Sequence, residues 1–278
     1  MKQKRHDPTR RSRWSWYFYD FGNSAYASVI LLAVFSAYFK NVVVGGAEGT
    51  RLWGLAVGIA AIIVAVMSPI LGSIADYVKS KKTFLILFTA LSVVFTALLF
   101  FVRKGDVVTG MIFFILAEIG YRAAQVFYDA LLTSVSTPEN IGSVSGKGWA
   151  IGMLGGIAAL LVVLVPIQLV GNSVIPYAFL ITAVFYLASS IPMFLWVKEI
   201  HEEPVEQKEK GYIRVAFERL LHTFRSIKSY KEFLKYTIAF LVYNDGIMML
   251  MDFAAIIGAT LYGMTQIQLI LFVIVIQM

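Results

Sequence analysis

Apolar residues in this chain come in long charge-free runs, and the charges are swept into the segments between them. Nineteen uncharged residues separate Asp20 from Lys40, 24 separate Arg51 from Asp76, and 20 separate Lys82 from Arg103. Between Lys147 and Lys198 lie 50 more, interrupted by Gly171-Asn172-Ser173 and Pro176, which reads as two runs joined by a tight turn. A helix needs roughly 20 apolar residues, each rising 1.5 Å, to cross the ~30 Å hydrocarbon core of a bilayer. The runs therefore predict membrane-spanning helices near 21–43, 52–75, 83–102, 107–132, 148–170, 174–197 and 234–258, with an eighth starting near 265. Residues 265–278 make only ~21 Å of helix at that rise, so the last span is expected to be cut short and the chain to be incomplete.

Composition agrees with an all-α polytopic membrane protein. Of 278 residues, 59% are hydrophobic and 15% charged, too little polar surface for a soluble domain of this size. The absence of cysteine excludes a disulfide framework, a thiolate metal site and a thiol nucleophile. The basic N-terminus before an apolar run resembles a secretory signal. The length of that run and the spans that follow it identify an uncleaved first helix instead.

The net charge of +7 is distributed by topology. Nineteen of the 24 Lys and Arg residues fall on one side of the seven-span arrangement, four (Lys40, Arg51, Arg103, Lys104) fall on the other, and Arg122 lies within a span. This is the positive-inside asymmetry, and it places the N-terminus in the cytoplasm of a cell whose inner membrane holds the chain. The basic runs then serve orientation and lipid headgroups, and nucleic-acid binding is not expected.

Four segments follow from the pattern: a basic cytoplasmic tail (1–20), a six-helix bundle (21–197), a cytoplasmic linker (198–232), and the first one and a half helices of a second bundle (233–278). Within the linker, Ile213, Phe217, Leu220, Leu221, Phe224 and Ile227 recur at helical spacing opposite basic residues. That predicts an amphipathic helix lying on the membrane surface over 212–230. A short repeat supports the two-half division: Tyr19-Asp20-Phe21-Gly22 opens the first span and Tyr243-Asn244-Asp245-Gly246 sits in the seventh.

Ionisable groups at bilayer depth cost at least ~2.5 kcal/mol each, so each calls for a partner or a task. Glu118, Arg122, Gln125 and Asp129 are spaced four, three and four, on one stripe of the fourth span. Glu118 and Arg122 can pair at i,i+4, either as a structural pair that sets helix register or as part of a substrate or ion-coupling site. Asp129 lies toward the cytoplasmic end, where water also accounts for it. Asp20 reads as a helix N-cap or first-turn acid, while Asn23 and Tyr26 share a face that can line a central cavity. In the seventh span Asn244 and Asp245 are the polar pair assigned to the site; Asp252 shares a face with Asp245 nearer the outer mouth.

Two motifs carry a resemblance. Gly72-Ser73-Ile74-Ala75-Asp76-Tyr77-Val78-Lys79-Ser80-Lys81-Lys82 is similar to the cytoplasmic loop signature of the major facilitator superfamily, with Tyr77 and Lys79 departing from its usual arginine and second glycine. Arg122 with Gln125 resembles the fourth-helix Arg-x-x-Gln motif, with Val126 in place of the following glycine. Tyr19–Tyr26, Gly146–Gly156 and Tyr243–Gly246 further resemble bacterial relatives of the autophagy-linked vacuolar amino-acid effluxer. The resemblance implies the major facilitator fold, with a complete N-terminal six-helix bundle and the start of a truncated C-terminal bundle. It also implies a cytoplasmic gate at Gly72, Asp76, Lys81 and Lys82. Gly148, Gly152 and Gly156, four apart, form a small-residue stripe for helix packing.

The function expected is secondary active transport of small solutes, amino-acid efflux among the candidates, by alternating access and coupled to protons or another ion. The site would comprise Asn23, Tyr26, Glu118, Arg122, Gln125, Asn244 and Asp245. A monomer without cofactor or metal is expected. A lipid-modifying membrane enzyme is disfavoured, because His6, His201 and His222 are scattered through the tail and linker. The remaining alternative is a truncated, transporter-like protein without transport activity, acting as a sensor or scaffold. The topology has a direct check in this cysteine-free chain: single cysteines at Lys81 and Lys104 should label from opposite faces of sealed vesicles, and same-side labelling would break it.

Overall fold

The computed structural model describes residues 9–77, 80–199 and 231–277, and all the regular structure among them is helical. Besides short helical turns at Leu99–Phe101, Leu132–Val135 and Asn172–Val174, eight longer helices follow in order among the described residues: α1 (Arg10–Val44), α2 (Gly46–Tyr77), α3 (Lys81–Leu98), α4 (Val107–Ala130), α5 (Ile141–Val170), α6 (Ile175–Trp196), α7 (Lys231–Leu261) and α8 (Gln266–Gln277). Six are long and apolar enough to cross a membrane, and α7 makes a seventh if its two arms, bent by 54° between Met251 and Phe253, count as one span. The linker helix expected over 212–230 lies outside the described residues.

The helices overrun the charge-free windows at most ends. α1 begins at Arg10, inside the segment read as a tail, where Thr9 Oγ1 accepts from the Ser12 amide at 3.2 Å. α5 begins at Ile141 rather than near 148. The windows mark the hydrocarbon, whereas a helix continues past it because its hydrogen-bond ladder is the cheapest way to satisfy backbone groups. Asp20 is consequently not a cap: it lies in the middle of a continuous helix.

α1 is the central strut. Its first half packs between α5 and α6, while α3 pairs with α4 and α6, and α2 lies along α4. Close approach comes from glycine. A Cβ on Gly155 would collide with the backbone of Phe21, one on Gly152 would meet Asp20 Oδ2 at 2.5 Å, and one on Gly148 would strike the Trp16 ring. Gly120 does the same for the α3–α4 pair, where a Cβ would sit 2.6 Å from the Ser92 nitrogen. Gly156 is buried on the same helix, next to the tight contact at Gly155.

The second half of α1 departs from α-helical geometry. Ala27–Ala33 and Phe39–Val44 are π-helical, with Val34 N donating to Val29 O and Gly45 N to Lys40 O. Wider turns leave carbonyls poorly served, and such turns recur at functional sites. Here α8 supplies a donor: Gln266 Nε2 reaches Ala33 O at 2.8 Å. Around this segment Trp53, Phe35, Phe39, Phe114 and Phe179 form a buried aromatic cluster.

Among the described residues, the second arm of α7 is the one packed on the bundle. Ala255 and Ile256 are buried beside α1, and Lys40 Nζ donates to Thr260 Oγ1 at 2.9 Å. Phe233, Tyr236, Leu241 and Tyr243, on the other arm, are exposed. Replacing Gly155 by alanine forces the backbone of α1 away and should destabilise by about 1–3 kcal/mol, seen as a lowered Tm in detergent. Gly72→Ala, where an added Cβ meets nothing within 4 Å, should leave Tm unchanged.

Candidate functional site

The fourth-span stripe converges on α1. Arg122 Nε donates to Glu118 Oε1 at 2.7 Å, across the i,i+4 spacing that one helical turn imposes. The partners differ in access: the Glu118 side chain is 7% exposed and that of Arg122 is 37% exposed. The carboxylate is thus anchored inside while the guanidinium reaches the open side of the bundle.

Tyr26 is fully buried on α1 and stacks on Tyr121 of α4, ring centroids 4.7 Å apart. Its hydroxyl faces the Glu118 carboxylate. The Arg122 guanidinium lies 5.7 Å from the centroid of the same Tyr121 ring, and Gln125 is a neighbour of the Tyr121 hydroxyl. Asn23 is buried one turn before Tyr26.

Unmet hydrogen bonding gathers around this pair, although buried hydroxyls of Ser36, Ser92, Thr96 and Tyr128 also lack a partner among the described residues. Asn23 Nδ2 and Oδ1, the Tyr26 hydroxyl and Glu118 Oε2 are all buried and make no hydrogen bond of good geometry among the described residues, although the Tyr26 hydroxyl and the Glu118 carboxylate lie close enough to interact. A buried polar atom left unpaired costs about 1–3 kcal/mol, and most native ones are satisfied. Four such atoms in one region, next to a half-exposed guanidinium, form a set that a bound solute can satisfy. The set offers donors and acceptors from Asn23 and Tyr26, an anionic oxygen from Glu118 and cationic donors from Arg122.

A contrasting polar cluster is closed. The Tyr19 hydroxyl shares hydrogen bonds with Thr89 Oγ1 at 2.7 Å and with the Tyr186 hydroxyl at 3.0 Å, tying α1 to α3 and α6. That group is a fastening.

The other expected site residues are not gathered here. Asn244 is half-buried and Asp245 exposed, on the arm of α7 that leaves the bundle. Of the expected gate, Lys82 turns inward to the end of α6: its Nζ donates to Val197 O at 3.0 Å and its amide donates to the Glu199 carboxylate. Lys81 is half-buried at the start of α3, Asp76 lies in the last turn of α2, and residues 78–79 of the same motif are outside the described residues. Gly72 makes no close helix approach.

Sequence reasoning missed Tyr121 and Tyr128. Both were findable, since they stand three and ten residues beyond Glu118 and so return to its face of the helix. Tyr128 is buried, stacked on Trp16 at 4.3 Å, and its hydroxyl has no hydrogen-bond partner among the described residues. Asp20, set against Gly152, has Asp129 as its charged neighbour. No group of metal-ligating side chains occurs among the described residues.

Comparison with known proteins places this geometry in context. The family described as "Vacuole effluxer Atg22 like" matches residues 52–140 and 136–278. An uncharacterized MFS-type transporter of Bacillus subtilis, YxiO, is 31% identical over 272 residues, which is 93% of this chain and 63% of that protein. An uncharacterized protein of Aquifex aeolicus is 27% identical over 146 residues, 51% of this chain and 35% of that one. The chain thus spans less than two thirds of the length of each of these relatives.

A structural role and a binding role separate at Tyr26. Because its hydroxyl is buried beside the Glu118 carboxylate without a hydrogen bond of good geometry, Tyr26→Phe should keep or raise Tm, by up to about 1–3 kcal/mol in stability. A drop in Tm would show that the hydroxyl holds the fold together.

Proposed function

We propose that this chain, which belongs to the Atg22-like vacuole effluxer family of the major facilitator superfamily, carries out secondary transport of small solutes by alternating access. It is a multi-pass membrane protein. The proposed setting is the cell inner membrane with the N-terminus in the cytoplasm, on the strength of the basic asymmetry.

The observation that carries the reading is the unmet polar set beside the Glu118–Arg122 pair. Arg122, half-exposed and able to donate two parallel bonds, is the proposed partner of a substrate carboxylate. Glu118 Oε2, Asn23 Oδ1 and the Tyr26 hydroxyl are acceptors for an ammonium group. A zwitterionic amino acid is the simplest solute that uses both, and on this reading it is the exported cargo. Glu118 is also the acid proposed to exchange a coupling proton, with Arg122 as the countercharge that substrate and proton compete for. Gln125, one turn further along the stripe, extends the lining through Tyr121.

Access is supported from α7. Its outer arm is packed on the π-helical part of α1 through Lys40 and Thr260, while its cytoplasmic arm stands away from the bundle. Such an arrangement closes the outer side and leaves the Arg122 side reachable from the cytoplasm. Rocking about this contact is the proposed alternation.

The test is flux. In proteoliposomes supplied with radiolabelled amino acids, the wild-type protein should exchange substrate and Arg122→Ala should reduce exchange to the protein-free background while eluting as a folded species. Wild-type flux in the variant sinks the assignment. Amino-acid binding that depends on Arg122, without any flux in the wild type, would assign a sensor in place of a carrier.

A further inference from the structure

Away from that site, a groove of about 370 Å³ runs between the N-terminal turns of α1 and the C-terminal turns of α6. Antiparallel helices build it from matched positions. α1 contributes Arg11, Ser15 and Phe18, and α6 contributes Trp196, Pro192 and Ser189. Both sets follow helical spacing of four then three, so each forms one continuous wall.

The groove is graded along its length. At its charged end the Arg11 guanidinium lies 3.7 Å from the centroid of the Trp196 ring, and Arg11 forms no ion pair among the described residues. Ser15 is no competitor for that charge, since its hydroxyl donates to the Arg11 carbonyl at 2.7 Å. Trp14 and Trp196, both exposed, flank the mouth, as tryptophans do at the headgroup level of a bilayer. Two turns deeper the wall is Phe18, and the surface continues outward through exposed Ile191 and Leu187. The floor is low because Gly22 lets Ser189 approach α1: a Cβ there would lie 2.5 Å from Ser189 Cβ.

An unpaired cation at the interface, then aromatic flanks, then an apolar trough is the profile of a phospholipid: phosphate, glycerol backbone, acyl chain. We infer that this groove is a binding site for an anionic phospholipid of the cytoplasmic leaflet, with its phosphate on Arg11 and an acyl chain along Phe18 and Pro192. The ligand chemistry is a phosphate ester, and the apolar trough selects a lipid over a soluble phosphate. The guanidinium, held 3.7 Å over the Trp196 ring, carries several N–H donors of the kind that bind phosphate. A lipid seated there would brace α1 against α6 at the end where the chain enters the membrane.

The experiment uses the whole chain in detergent, with phosphatidylglycerol and phosphatidylcholine of identical acyl chains and inorganic phosphate as probes. Native mass spectrometry reads retained lipid and a thermal ramp reads Tm. The wild type should retain phosphatidylglycerol and gain Tm with it. Arg11→Gln should weaken retention about five- to tenfold, the worth of one interfacial charge-assisted contact. Arg10→Gln, one position outside the groove, should behave as wild type, and inorganic phosphate should give no shift. Ala188→Leu, at an exposed position of the groove wall, keeps every charge and fills the trough, so it should also lose the lipid; it serves if Arg11→Gln does not fold. Undiminished retention in both groove variants overturns the inference. An equal Tm gain with phosphatidylcholine or with inorganic phosphate overturns it too.

Discussion

Hydrocarbon offers nothing to a hydrogen-bonding group, and that one property governs this molecule. Each backbone amide in a span has to be answered inside the protein, so the segments become helices and continue beyond the apolar window until water can take over. Where α1 loosens into π-helical turns, the debt falls on a neighbour, and Gln266 answers the Ala33 carbonyl from a different helix. The same rule applies to side chains. Glu118 is tolerable at depth because Arg122 stands one turn away, since an unpaired buried charge carries a penalty of several kcal/mol.

Against that background, the atoms left unanswered carry the most information. Tyr19, Thr89 and Tyr186 form a closed group that fastens three helices. Asn23, Tyr26 and the second oxygen of Glu118, on the same two central helices, stay open. Ser36, Ser92, Thr96 and Tyr128 also carry buried hydroxyls without a partner among the described residues, and what distinguishes this set is its place beside the Glu118–Arg122 pair of α4. The contrast between fastened and open polar groups, more than charge within the membrane as such, separates a site from a brace. The groove at Arg11 follows the same reasoning at the membrane surface, where the unanswered group is a cation with an apolar trough beneath it.

Close packing is what lets these groups meet. Gly148, Gly152 and Gly155 bring α5 against α1 so tightly that side chains are excluded, which carries α1 into the middle of the bundle with Asn23 and Tyr26 on it. Small residues take this role in membranes because helices gain little from hydrophobic exclusion and much from van der Waals contact.

Much of this was legible in the linear chain. The order of the long apolar helices, the one-sided bias of charge along the chain, and the Glu118–Arg122 pairing follow from window length, counting and helical spacing, which are local rules. Gly148 and Gly152 were visible as a stripe, but only the packed helices showed that Gly155 also meets α1, because the crossing of α1 and α5 selects the position. Tertiary structure also decided that Tyr121 and Tyr128 join the polar face of α4, that Lys82 turns to the end of α6, and that Asn244 and Asp245 ride on the free arm of α7. The physical reason is the same in each case. Spacing along one helix says which residues share a face, but what that face meets depends on helices distant in sequence, and no local rule contains their positions.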